Sequence, residues 1–90
     1  MIRTVLLGGR AGLHLRAAAQ IAVAAARQPV PVMVRTLDRP AVPADSVLSL
    51  LSLGALGGTE LILEAYGAGA EVALANLAEL FAADLDIAGA

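Results

Sequence analysis

The sequence predicts an α+β domain, a single sheet with helices packed on one face, and three observations predict it. Ninety residues suffice for one hydrophobic core and not two. Apolar residues make up 59% of the chain, yet the only aromatics are Tyr66 and Phe81, so the core must be built from small and branched aliphatic side chains. The local patterns read in the order β-α-β-β-α-β-α, with short turns between them. These patterns leave the order of strands within the sheet open.

Met1–Leu7 is rich in branched and aliphatic residues and is stopped by Gly8 and Gly9, which predicts a first strand. Residues 10–15 form a loop. Arg16–Arg27 is Ala-rich, and Ala18, Ile21, Ala22 and Ala25 fall at helical spacing on one stripe. Pro29 and Pro31 end that helix by forcing the residue before each out of the helical region. Val32–Thr36 reads as a second strand, Leu37–Pro40 as a turn, and Ala41–Val42 as a brief extended piece. Ser46 sits where a helix N-cap belongs, ahead of Val47–Leu53, with Gly54 as the stop. Gly57 and Gly58 turn the chain into Glu60–Tyr66. There Leu61, Leu63 and Ala65 alternate with Glu60, Ile62 and Glu64, as in a half-buried strand. Ala70–Asp84 places Ala70, Ala73, Leu77, Leu80 and Phe81 on one helical face. Asp86–Ala90 is expected to be a frayed tail.

Composition excludes several function classes. There is no Cys, hence no disulfide and no thiol nucleophile, and one His rules out a multi-histidine metal site. The longest charge-free run, Ser46–Thr59, has 14 residues and three glycines, against the ~20 apolar residues of a spanning helix. Without a signal-peptide pattern, the expectation is a soluble cytoplasmic protein with no membrane insertion. Net charge is −2 but uneven: residues 1–44 carry all six arginines and only Asp38, giving +5, and residues 45–90 carry −7. Such asymmetry suits anionic ligands or acidic partners. It does not suit nucleic acid, since there is no Lys and little aromatic interleaving.

His14 is the only imidazole and stands just ahead of the first helix. A helix N-terminus offers unpaired N–H groups and a partial positive charge, which suit a phosphate, and Arg16 adds planar donors. Neutral imidazole is a nucleophile, so the arrangement fits a histidine that accepts a phosphoryl group and returns it. A lone loop His is more often inert; the surrounding pattern decides against that here. Gly12-Leu13-His14-Leu15-Arg16-Ala17-Ala18 is similar to the active-site motif of the HPr family, usually Gly-[Ile/Leu]-His-Ala-Arg-Pro-Ala. Asp45–Gly54 resembles the family's second signature, and Gly58–Glu60, Glu64–Gly67 and Glu71–Leu80 resemble its last turn, strand and helix. The resemblance spans essentially the whole chain.

It implies an open-faced β-sandwich: a four-stranded antiparallel sheet with three helices on one face, as a single domain over residues 1–90. It also implies a phosphocarrier of the phosphoenolpyruvate-dependent sugar phosphotransferase system, with no turnover of its own and no cofactor. Enzyme I would phosphorylate His14 at Nδ1, an enzyme IIA domain would take the group, and Arg16 would assist the phosphoryl oxygens. Two residues depart from the pattern. Ala17 stands where the family usually has Pro, and Leu15 where it usually has a small residue. Ser46 matches a serine that an HPr kinase/phosphorylase modifies in part of the family. Capping a helix is a sufficient role for it, and Asp45 beside it would repel a second negative charge. The short apolar helix is hard to bury on every side. Val47, Leu48 and Leu51, with Ala19, Val23 and Arg27, are therefore expected to form a docking patch beside Leu15 on a monomeric protein.

Three alternatives stand beside this reading. One is a carrier of a nitrogen-related or dihydroxyacetone-kinase-linked relay, which would keep the His site and change the partner. Another is a degenerate, non-phosphorylated interaction domain, against which His14 and Arg16 argue. The last is a small metabolite-binding regulatory domain, for which the sequence holds no ligand-specific motif.

Overall fold

In the computed structural model, which describes residues 1–84, seven elements follow one another. They are β1 (Ile2–Leu6), α1 (Leu15–Ala26), β2 (Met33–Arg35), β3 (Val42–Pro43), α2 (Val47–Ser52), β4 (Glu60–Glu64) and α3 (Ala70–Ala82). The expected tail at Asp86–Ala90 lies outside the described residues. All strand pairs are antiparallel, and the order across the sheet is β1-β4-β2-β3. Thus β4, the strand with the clearest alternation, sits inside the sheet between β1 and β2.

The register explains the layering. Leu61 lies opposite Val5, and Leu63 lies between Arg3 on one side and Val34 on the other. Leu61, Leu63 and Val34 are fully buried and join Ile21, Leu50, Leu74, Leu77 and Phe81 in one core between the sheet and the three helices. Ile62 points the other way, as its neighbours' alternation requires, yet it is largely covered. Its partners Thr4 and Arg35 flank it on both adjacent strands, as happens only on an interior strand. The open face otherwise carries exposed Ile2 and Leu6.

Element ends differ from expectation by a residue or two, each for a local reason. The first helix begins at Leu15, because His14 adopts an extended backbone and caps it. The edge strand β3 has two residues, and Pro43, which lacks a donor, is tolerated there because the strand is at an edge. The helix α2 starts after Ser46, whose hydroxyl accepts from the Ser49 N–H at 3.2 Å, and it stops before Gly54, at φ +60°. The last helix ends at Ala82, two residues short of Asp84. Phe81 ties its end to the start of the loop between β1 and α1, since the Gly8 N–H donates to the Phe81 carbonyl at 2.8 Å.

Candidate functional site

The loop between β1 and α1 is clamped against the segment after α2. Gly58 N–H donates to the Leu7 carbonyl (2.7 Å), and Leu13 N–H donates to the Ala55 carbonyl (3.0 Å). Two glycines permit the close approach. Gly12 lies at φ +71°, and a Cβ there would collide with the Ala55 carbonyl oxygen; a Cβ at Gly57 would collide with the Gly9 carbonyl. Leu13 is buried beneath the loop, so the next residue is delivered to the helix start in a defined position.

That residue is His14. Its backbone is extended (φ −83°, ψ 174°), its carbonyl accepts from the Ala18 N–H at 2.9 Å, and its Nδ1 accepts from the Ala17 N–H at 3.2 Å. The imidazole thus fills the place a Ser or Asp side chain usually takes at an N-cap. An accepting Nδ1 carries no proton, which assigns the ring proton to Nε2. His14 is half-buried, and with Arg10, Ala11 and Arg16 it lines a shallow, open hollow at the N-terminal end of α1. Two arginines and a helix N-terminus at one hollow with an imidazole suit an anion with several oxygens.

Of the residues singled out from the sequence, the structure brings His14 and Arg16 together here. It also adds Arg10, which sequence reasoning left unassigned. Its signal was its place in the same Gly-bounded loop four residues before His14; the turn over residues 9–12, closed by Gly12 N–H to the Gly9 carbonyl at 3.4 Å, brings it back to the hollow. Leu56 was also missed. It is 71% exposed and packs by its backbone against Gly12, a proximity visible only once the loop and the post-α2 segment meet.

The expected docking residues divide into two groups. Ala19, Val23 and Arg27 line a groove along α1 that is closed by Leu80 of α3. Leu15 (65% exposed) and Leu48 (81%) stand clear of the core, whereas Val47 and Leu51 are half-buried against it. Leu48 is thus the one strongly exposed apolar residue of α2. Ser46 is half-buried and serves as its cap. Among the described residues no group of three or more His, Asp or Glu could hold a metal ion, and no helix is long and apolar enough to cross a membrane.

Comparison with known proteins gives one consistent result. Residues 2–83 match the family model described as PTS HPr component phosphorylation site. The chain is 43% identical over 84 residues to phosphocarrier protein HPr of Streptomyces coelicolor, covering 93% of this chain and 90% of that one. Among solved structures it resembles an HPr from Bacillus anthracis (TM-score 0.83, 27% identity, 90% of this chain and 95% of that chain). It also resembles an HPr from Thermoanaerobacter tengcongensis (TM-score 0.81, 30% identity, 90% of each chain).

Proposed function

Since the chain belongs to the HPr family of phosphocarrier proteins, we propose that it accepts a phosphoryl group on His14 from phosphorylated Enzyme I and passes it to an enzyme IIA domain of a sugar phosphotransferase system. The observation that carries this reading is the placement of the sole imidazole at the N-terminus of α1, in a hollow it shares with Arg10 and Arg16.

The Nδ1 lone pair forms the new N–P bond while the donor's N–P bond breaks, the electron pair staying on the donor nitrogen. Each ring keeps the proton on its other nitrogen, so no separate acid or base is required. The guanidinium groups of Arg10 and Arg16 stabilise charge on the three equatorial oxygens as the group moves. Transfer onward repeats the step with His14 as leaving group. The product is a high-energy phosphoramidate, which is why the group can move on to an acceptor instead of stopping here.

Docking is assigned to exposed Leu15 and Leu48 with half-buried Val47 and Leu51, and to the α1 groove lined by Ala19, Val23 and Arg27. The protein acts in the cytoplasm, as a monomer and without a cofactor. Ser46 is retained for its cap, and modification by an HPr kinase/phosphorylase is not needed for the relay. The test is a chase. The chain is charged with Enzyme I and phosphoenolpyruvate, freed of both, and mixed with the IIA domains of its own source. Return of the chain to its uncharged mass as a IIA gains the phosphoryl supports the carrier reading. A charge lost only at the rate of spontaneous hydrolysis, whichever IIA is added, contradicts it.

A further inference from the structure

We propose that the Ala17 amide is a brake on His14, holding the attacking lone pair in a hydrogen bond that must open before phosphoryl transfer. The inference rests on the reading of His14 as the phosphoryl acceptor at Nδ1. The Ala17 N–H donates to His14 Nδ1 at 3.2 Å. A pyridine-type nitrogen has one in-plane lone pair, which can face this hydrogen or a phosphorus atom but not both. The resting protein therefore presents its nucleophile already engaged.

The donor is poorly placed to yield. Ala17 is the third residue of α1, so its N–H lies among the first-turn amides that lack a helical carbonyl partner; the imidazole supplies the acceptor instead. The Ala17 side chain is buried, and the next amide, Ala18, is bonded to the His14 carbonyl at 2.9 Å. Turning the amide away would unwind the first turn. The ring must move instead, and breaking the contact is part of the barrier to forming the N–P bond. The new bond then takes the Nδ1 electron pair, the donor's N–P bond breaks with its pair on the donor nitrogen, and the Nε2 proton stays where it is.

Ala17→Pro removes the N–H at a position where the helix tolerates proline, because no ladder bond is lost there. Ala17→Gly keeps the N–H. In single-turnover charging over a range of phosphorylated Enzyme I concentrations, Ala17→Pro is expected to raise the limiting rate about two- to tenfold, the worth of one ordinary hydrogen bond. The half-saturating concentration should not change, and Ala17→Gly must not share the acceleration. In parallel, the through-hydrogen-bond 15N–15N coupling between the Ala17 amide and His14 Nδ1 should be present in the parent and lost in Ala17→Pro. A parent without that coupling overturns the proposal even if the proline variant fails to fold. So does a folded Ala17→Pro whose limiting rate equals or falls below the parent's. A parent that shows the coupling but never charges rejects His14 as acceptor, and the brake with it.

Discussion

The residues that build the His14 hollow differ in the physical quantity each can contribute. His14 can offer a ring lone pair, Arg10 and Arg16 positive charge with planar donors, and Gly12 the backbone freedom that lets the loop close against Ala55. Replacing Arg16 with Ala is expected to slow charging about 10- to 100-fold, the worth of a charge-assisted hydrogen bond, while the exposed position keeps the unfolding free energy within about 0.5 kcal/mol of the parent's. Rapid-quench charging and urea denaturation separate the two effects. Gly12→Ala should do the reverse. A Cβ at φ +71° against the Ala55 carbonyl should cost about 1–2 kcal/mol or more in urea denaturation, since the residue is both left-handed and crowded. A denaturation curve unchanged from the parent would show that the loop can rearrange. His14 and Arg16 were legible in the sequence because their chemistry and spacing are local. Arg10 was not, because only the turn over residues 9–12 directs it to the hollow. Nor was the capping role of His14, since an imidazole is an uncommon N-cap and the sequence alone placed the helix start one residue later.

Elements with strong local patterns were the most legible. The Ala-rich stripe of α1 buries Ala18, Ile21, Ala22 and Ala25 as its spacing requires, and the alternation of β4 buries Leu61 and Leu63. The two-residue β3 was only hinted at by its flanking prolines. Its pairing with β2 (Met33 with Pro43, Val34 with Val42) is a tertiary fact that no local pattern encodes. The division of α2 also needed the structure: its apolar run reads alike throughout, yet Leu50 is fully buried while Leu48 is 81% exposed. Because α2 has only six residues, its cap weighs heavily on it. Ser46→Ala should lower global stability by about 1 kcal/mol, and hydrogen exchange should show faster opening of Ser49 and Leu50 than of α1. Protection of α2 unchanged in that variant would place the Ser46 hydroxyl outside the helix's support.

Across the whole molecule, the sheet order β1-β4-β2-β3 leaves the three helices on one side and delivers the His14 loop to the N-terminal end of α1. Charge is segregated along the chain in the same sense: residues 1–44 carry +5 and include Arg10, His14, Arg16 and Arg27. Encounter with an acidic partner face should therefore be steered, and should weaken as salt shortens the Debye length toward ~8 Å at physiological strength. Arg27→Glu should mainly slow association with Enzyme I, by several-fold at low salt, and Leu48→Asp should mainly hasten dissociation. Surface plasmon resonance across a salt series reads both rates, and an association rate indifferent to salt and to Arg27→Glu would leave docking to the apolar residues alone. All of this depends on His14 being the residue that is charged. Intact mass measurement after incubation with Enzyme I and phosphoenolpyruvate tests that directly. The parent should gain one acid-labile phosphoryl group and His14→Ala none; an adduct that persists in His14→Ala, or a parent that gains nothing from active Enzyme I, would contradict it.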